Sequence, residues 1–412
     1  MSNFTCPVVR VASVEEHPAA DRLSIVKLEG LAYVCISGKL EDGSPRYKAG
    51  DWVVYIPSAA VLPETLLREM DFWNEETNKG TLAGADGNRV KPLRLRGIFS
   101  EGVLYPATVT EETDGLPGDQ DHFVKYWKIC AGETGSIVMR IYHSDNTPIS
   151  VSRYDMSSVL GITKYEPPIP THMAGEVASV SEAAFKYDFE RIESVPDIFD
   201  ENELVVATEK LHGTCTIIQY IPDLNHPEMF GTTGCITVSS KGLGAQGLVM
   251  KNNDTNNKNI YVRTLKRLLE EYDLEETLRR MSQAGNGARV FLGGEIFGKG
   301  IQDLDYGTSQ PEFRVFDAKI GHDWIAPSNL GSWDVKSIPQ VPVLYRGAFD
   351  AKLREEYRDG TTTVGGTNVR EGIVVRSMVP DQHPIHGRKI AKMISPAYLL
   401  RKVKNGEATE YT

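Results

Sequence analysis

Residues 203–220 read ELVVATEK-LH-GTCTIIQY: two apolar, β-branched runs separated by Lys210-Leu-His-Gly213. Short runs of this composition are strands, so 203–210 and 214–220 are each expected to be a strand. A lysine closes the first strand, and a glycine three residues later lets the chain turn into the second. The amine of such a lysine is a nucleophile that can attack the α-phosphate of a nucleotide. At its ordinary pKa of about 10.4 it is almost wholly protonated near neutrality. Nearby cations, metal or lysine, would have to lower that value. The spacing alone is weak. With 37 glycines in 412 residues it arises by chance, and Lys241-Gly-Leu-Gly244 repeats it. A surface lysine at a strand end is the bland alternative for both.

The stretch gains meaning from an ordered series of segments downstream. Gly294-Glu295-Ile-Phe-Gly298 ends an apolar run with a carboxylate. Glu312-Phe-Arg-Val-Phe316-Asp317 offers an aromatic ring for stacking on a base. Arg370-Glu371-Gly-Ile-Val374-Val-Arg376 sets a second carboxylate in a buried-type strand, and Arg388-Lys389-Ile-Ala-Lys392 brings cations. A nucleophilic amine, an aromatic platform, two metal-capable carboxylates and phosphate-binding lysines are the parts nucleotidyl transfer needs. Strands are expected at 289–297, 312–320, 371–377 and 389–394. A helix is expected over 261–281, where Val262, Leu265, Leu268, Leu269, Tyr272, Leu278 and Met281 recur at three- and four-residue spacing. The polar stretch KNNDTNNKN, 251–259, reads as an exposed passive loop.

In this order the segments resemble the five motifs of the covalent nucleotidyltransferase superfamily, which includes DNA ligases, RNA ligases and mRNA capping enzymes. EKLHGT and its strands look most like the RNA ligase 2 branch. The layout is similar to the RNA ligase 5 family of Deinococcus and Naegleria type, over roughly residues 163–412. The resemblance implies an ATP-dependent RNA ligase and a role for each matching residue. Lys210 would be the adenylylated nucleophile, flanked by Glu209, Leu211 and Gly213 at the nucleotide. Glu295 and Glu371 would bind ribose or hold Mg²⁺ or Mn²⁺. Phe316 would stack on adenine with Val374 on the other face. Ser240 and Lys241 would contact the ribose or the nick phosphate, and Lys389 and Lys392 would grip the α-phosphate. The implied partner is RNA or an RNA-containing nicked duplex.

Two departures stand out. His212 occupies a position that is acidic in many relatives, so a metal–water contact attributed to that acid does not carry over. The lysines 389 and 392 are three apart where relatives often space them by two, which makes Lys392 the firmer match. Only twenty residues follow Lys392, too few for the OB domain that DNA ligases and capping enzymes usually carry there.

The front of the chain supplies a candidate for that module. Val8–Val11, Leu23–Leu28, Trp52–Ile56 and Gly102–Tyr105 are short apolar runs between turn residues, as in a small barrel. His17-Pro-Ala-Ala-Asp-Arg-Leu23 and Leu95-Arg-Gly-Ile-Phe-Ser-Glu-Gly-Val-Leu104 resemble parts of tRNA-binding-type OB folds. Arg89, Lys91, Arg94 and Arg96 form a basic cluster that is either a solvated strand face or a phosphate-contacting surface. Tyr165-Glu-Pro-Pro-Ile-Pro170 reads as an extended linker. The expectation is therefore an α+β protein: an OB-like, nucleic-acid-binding β-barrel over 1–160, then a nucleotidyltransferase (ATP-grasp-like ligase) domain of antiparallel sheets with flanking helices over 161–412.

The bulk numbers bound this without deciding it. Hydrophobic residues are 41% and charged residues 25%, an ordinary globular balance. No stretch approaches the length of apolar residues a membrane span needs, and no signal peptide opens the chain. An intracellular, cytoplasmic protein is expected. Five scattered cysteines without a CxxC give neither a disulfide framework nor a zinc site. The net charge of −11 counts mildly against nucleic-acid binding, although local charge is what phosphates meet. The rival functions are a DNA ligase, a GTP-using capping enzyme, or a non-catalytic OB-type RNA-binding protein. His322, His383 and His386 have no assigned role, and Trp73, Trp127, Trp324 and Trp333 read as core or interface residues.

Overall fold

The computed structural model describes residues 4–115, 123–132, 135–141, 154–165, 173–327, 338–350, 353 and 356–401. Contacts divide the chain into two compact units, Ser2–Glu166 and Pro167–Thr412. Of the expected linker, Glu166 to Pro170 lie outside the described residues, as does Trp333.

The first unit is built on β1 (Val8–Glu16), β2 (Leu23–Leu28), β3 (Val34–Gly38), β4 (Trp52–Ile56), helix α1 (Glu64–Glu69), β5 (Val103–Gly115), β6 (Phe123–Ala131) and β7 (Gly135–Ile141). The strands pair antiparallel in the order β7-β6-β5-β4-β1-β2-β3. Side chains alternate across a strand, and in β4 both faces are buried. Val53 and Tyr55 join Val9, Val11, Val26 and Cys35 on one side. Val54 and Ile56 join Val8, Leu62, Leu66, Leu67 and Ile129 on the other. The sheet curls, because Glu101 N–H donates to Val34 O at 3.0 Å and Ile36 N–H to Ser100 Oγ at 2.9 Å. Even so, among the described residues no strand pairing joins β3 to β7, and the sheet is open rather than a closed barrel.

A hairpin, Leu93–Leu95 with Ile98–Ser100, carries part of the basic cluster. Arg96 and Gly97 turn it with φ of 47° and 95°, the two-residue geometry that suits the twist of paired strands. His17 anchors it. Its Nδ1 accepts from Ala19 N–H at 3.1 Å, which leaves the proton on Nε2 to reach Leu95 O at 3.1 Å.

The second unit holds two antiparallel sheets. One has the order β14-β8-β15-β16, from β8 (Leu204–Lys210), β14 (Val343–Ala348), β15 (Gly372–Ser377) and β16 (Ile390–Ile394). The other has the order β10-β9-β11-β12-β13, from β9 (Gly213–Ile221), β10 (Cys235–Ser240), β11 (Val290–Gly298), β12 (Pro311–Ile320) and β13 (Asp323–Trp324). Alternation again sorts the faces. Ile218, Tyr220, Leu292 and Ile296 pack toward α3 (Ile260–Glu271) and α4 (Leu274–Ala284). Val205, Ala207, Ile373 and Val375 pack with Ile192, Val195 and Met393. The opposite faces of β8, β9, β11 and β15 are left for a cleft.

Two local expectations need correction. The single helix over 261–281 is broken after Glu271, where Asp273 takes a left-handed φ of 48° and α4 restarts. The 251–259 loop is not passive. Asn256 is fully buried; its Nδ2 donates to Glu176 O and Lys251 O, both at 2.8 Å, and its Oδ1 accepts Glu176 N–H. Asn259 caps α3 through Tyr261 N–H and Val262 N–H. Among the described residues no helix is long and apolar enough to cross a membrane.

Candidate active site

Lys210 ends β8, and the two residues Leu211-His212 carry the chain from one sheet to the other. Gly213 is required where β9 begins: a Cβ there would lie 2.1 Å from the backbone oxygen of Ile296 on β11. The strand crossing is thus close, and it sets the lysine at the mouth of the cleft between the sheets. The cleft spans roughly 680 Å³, part of it open to solvent, and is lined by Lys210, Glu209, Leu211, Lys241, Glu295, Phe316, Val374 and Lys392, together with Tyr187, Asp188, Phe189, Thr208, Cys215, Val341 and Arg376.

Lys210 Nζ donates to Glu371 Oε1 at 2.6 Å. Glu371 is buried, in the residue just before β15, where Gly372 pairs with Lys210. Glu295 reaches the cleft from β11, opposite Cys215 of β9. Burial above all pushes its carboxyl up to about 8; Glu371 acts in the same direction, and Lys210, Lys241 and a backbone N–H bond from Gly213 act against it. Burial, with Glu295 next, likewise pushes the Cys215 thiol up to about 12.

One end of the cleft rests on a β-bulge. Gly293 pairs with Asp317 and Gly294 with Val315, so Phe316 is an extra residue on β12. Phe313 and Val315 before it, and Ala318 and Ile320 after it, all face the helical core. The bulge therefore turns Phe316 and Asp317 together toward the cleft side. Phe316 lies over Gly293, where a Cβ would come within 2.6 Å of the ring, and Tyr187 stacks on it with centroids 5.4 Å apart. Behind the ring, buried Asp317 accepts from Tyr187 Oη at 2.9 Å and from both terminal nitrogens of Arg388 at 2.6 and 3.1 Å, with Arg376 3.3 Å away. Arg376 also donates to Phe316 O at 2.6 Å, and Arg388 lies 3.5 Å over the Trp324 ring.

Elsewhere on the cleft wall, Lys241 Nζ donates to Asp188 Oδ1 at 2.7 Å. Ser240 caps the short helix α2 (Lys241–Ala245), its Oγ accepting Leu243 N–H at 3.4 Å. Glu209 borders the cleft, but its carboxylate faces away. It accepts from Thr362 Oγ1 at 2.5 Å and from Thr363 N–H and Oγ1 at 2.8 and 2.6 Å. Leu211 packs with Phe297, Tyr306 and Tyr398.

Two expected placements do not hold. Lys389 is outside the cleft lining. Three positions along an extended chain reverse the side-chain direction, and its ammonium is taken by Glu203 at 2.9 Å, Asp200 at 3.2 Å and Asp381 at 3.4 Å. Arg89 is buried, its guanidinium 4.1 Å over the Tyr165 ring, so it offers no phosphate-contacting surface. Of that cluster Arg94 and Arg96 are exposed and Lys91 is partly so.

His212 is buried and outside the cleft lining. Its N–H donates to Tyr306 Oη at 2.6 Å, its Nδ1 lies 2.8 Å from Tyr398 Oη and its Nε2 lies 2.7 Å from Asp303 Oδ1. Arg401 also grips Asp303 at 2.9 and 3.0 Å. Burial opposes ionisation of Asp303, but bonds from His212 and Arg401 outweigh it and hold the carboxyl well below the usual range. The network ties the turn after Lys210 to α5 (Pro396–Leu399) and to the Asp303 loop. Elsewhere, Asp197 pairs with His386 at 2.8 Å, and His383 stacks on His386 with nearly parallel rings. Nitrogen lone pairs lie in the ring plane, so these two imidazoles do not point at one metal position.

Sequence reasoning missed Tyr187, Asp188, Phe189, Arg376 and Asp317. The first three sit in an aromatic-dense run, FKYDFE over 185–190, and that density was the available signal.

Residues 203–394 match the family model described as RNA ligase. No curated protein matches the chain. Among solved structures it is similar to the Naegleria gruberi RNA ligase with PPi, at 22% identity and a TM-score of 0.64, covering 96% of this chain and 98% of that one. A lysine-to-alanine mutant of that ligase with ATP and Mn gives 22% and 0.63, covering 96% and 98%. A glutamate-to-alanine mutant with AMP and Mn gives 20% and 0.64, covering 95% and 97%. At these identities the likeness is one of fold, and it extends across both units.

Proposed function

We propose that this protein is an ATP-dependent RNA ligase that seals 3′-hydroxyl/5′-phosphate nicks through a covalent adduct on Lys210. The observation that carries the proposal is the meeting, in one cleft of the segment that matches the RNA ligase model, of Lys210, Glu295, Lys241, Lys392 and Phe316, with the Glu371 carboxylate bonded to the Lys210 amine. Adenine stacks on Phe316 with Val374 on its other face. Lys241 and Lys392 offset phosphate charge. The Lys210 amine must shed a proton before it can attack, and Glu371 Oε1 is the acceptor in contact with it. The amine then forms a bond to the α-phosphorus of ATP and pyrophosphate leaves with the electrons of the broken P–O bond. AMP passes from Lys210 to the 5′-phosphate of the nicked strand, and the 3′-hydroxyl displaces it.

The residues present suit a divalent ion. Glu371 is close enough to Glu295 to raise the cost of ionising it, and an oxygen-only pair favours a hard cation such as Mg²⁺ or Mn²⁺. Glu295 and Glu371 would hold such an ion, which would supply positive charge to offset the phosphates. The first unit is read as OB-like and as the RNA-positioning module, with the Arg94 and Arg96 hairpin as its phosphate contact.

The test is incubation of the purified chain with α-labelled ATP and Mn²⁺, then sealing of all-RNA, all-DNA and mixed nicks. A labelled protein band that vanishes in Lys210→Ala, with sealing on nicks whose 3′-hydroxyl strand ends in ribonucleotides, is the expected result. An adduct that maps to Lys241 by peptide mass spectrometry, or labelling by GTP in place of ATP, would refute it.

A further inference from the structure

One acidic side chain of the cleft has no part in the chemistry above. Asp188 lies between Tyr187 and Phe189 on the cleft wall. Its Oδ1 accepts from Lys241 Nζ at 2.7 Å and from Phe189 N–H at 3.1 Å. No hydrogen bond reaches its Oδ2 among the described residues. Lys241 fixes the carboxylate in place, and with Lys392 it keeps the group ionised against the pull of burial. The same charged groups crowd around Cys215, which feels Glu295, Lys241, Lys210 and Asp188 together. Asp188 lines the same cleft as Lys210 and is bonded to the lysine that follows β10.

An ionised carboxylate only accepts hydrogen bonds, and it repels phosphate. The donors a purine ribonucleoside triphosphate offers are its sugar hydroxyls and its exocyclic amine. With the α-phosphate at Lys210 and the base against Phe316, the sugar sits between them and the amine lies at the far end of the base. The hydroxyls are therefore the donors within the reach of a group bonded to Lys241. We propose that Asp188 accepts a hydrogen bond from a ribose hydroxyl of the bound nucleoside triphosphate and so selects ribonucleotide over deoxyribonucleotide; this rests on the nucleotidyl-transfer reading of the cleft. Its position is preorganised by the Lys241 contact, which is how a charged acceptor gains discrimination against a ligand lacking the donor.

The experiment measures the concentration of ATP, 2′-deoxy-ATP and 3′-deoxy-ATP that half-saturates adduct formation by the full-length chain with Mn²⁺. The wild-type chain should prefer ATP to one deoxy analogue by about tenfold or more, the scale of one charged hydrogen bond. Asp188→Ala should weaken ATP to the level of that analogue and leave the analogue itself nearly unchanged. Asp188→Asn keeps an acceptor and should fall between, and it carries the comparison alone if the alanine variant unfolds. An undiminished preference in both variants would overturn the assignment. Equal weakening of all three nucleotides would also overturn it, by making Asp188 a mere anchor for Lys241. A wild-type chain that forms no adduct with any of them would instead refute the reading of the cleft, and the assignment with it.

Discussion

Replacing Glu295 by glutamine should make the nucleotide-free protein more stable, and the gain should grow with pH. The carboxyl is raised from an ordinary 4.5 to about 8 in the folded chain, chiefly by burial. Below 4.5 it is protonated in both folded and unfolded states and contributes no difference. Between 4.5 and 8 the folded chain keeps a proton that the unfolded chain has released. A group raised in this way favours folding at low pH, and that advantage is lost as pH rises through the folded value. The loss runs at about 1.4 kcal/mol per pH unit, which over this window amounts to something on the order of 3–5 kcal/mol. Glutamine keeps an oxygen for the Gly213 N–H but carries no charge, so it escapes the loss. The assay is urea unfolding of both proteins in EDTA at pH 5.0 and pH 8.5. The two curves should lie within about 1 kcal/mol at the lower pH and separate by about 3 kcal/mol or more at the higher, glutamine being the more stable. The same variant should form little adduct, as expected where function holds a charge in a costly place. A glutamine variant no more stable than wild type at pH 8.5, or a difference that ignores pH, would refute the placement of Glu295 as a partly buried, ionisable wall of the cleft.

The geometry carries three more expected outcomes. Asp317→Ala leaves Arg388 and Arg376 without their shared buried carboxylate and should cost about 3–5 kcal/mol in urea unfolding, while raising the ATP concentration needed for labelling because Phe316 loses its support. Lys389→Ala should retain most adduct formation, its ammonium being held by Glu203, Asp200 and Asp381 away from the cleft, whereas Lys392→Ala should lose most of it; the contrast is read on one labelling gel. Arg94→Glu combined with Arg96→Glu should leave the adduct unchanged but slow nick sealing, with a defect that deepens as salt is raised, as for contacts to phosphate.

The two strands around Lys210 were legible because their residues leave little choice. β-branched runs on both sides of a glycine mark two strands by composition alone, but their membership of two different sheets, each completed by strands distant in the chain, is not written in the run. The helical stripe over 261–281 was legible as a buried face, but the break at Asp273 was not, since a left-handed residue between two amphipathic turns leaves the spacing almost intact. Arg89 shows the limit for charge. Four basic residues close in sequence look like one patch, yet Arg89 is buried against Tyr165 while Arg94 and Arg96 project from a hairpin. Exposure depends on the turn between them, and the turn depends on His17, 78 residues from the Leu95 carbonyl it holds.

The aromatic platform makes the same point about the site itself. The run Glu312–Asp317 alternates as a strand should, and strict alternation would put Phe316 on one face and Asp317 on the other. The bulge between Val315 and Asp317 cancels that alternation, so the ring and the carboxylate that secures it share a side. Nothing within the run demands the extra residue. What permits it lies on the neighbouring strand, where Gly293 leaves room for the ring, and what fixes it comes from Tyr187, Arg376 and Arg388, far away in the chain. Lys210, Glu295 and Glu371 could be picked out because their chemistry is carried by residue type. Phe316 could be picked out for the same reason, but the support that aims it is a property of three strands meeting. The Asp317 substitution therefore tests more than one ion pair: if Asp317→Ala keeps both stability and ATP capture, the bulge holds Phe316 by backbone geometry alone, and the Arg376 and Arg388 contacts are incidental to the platform.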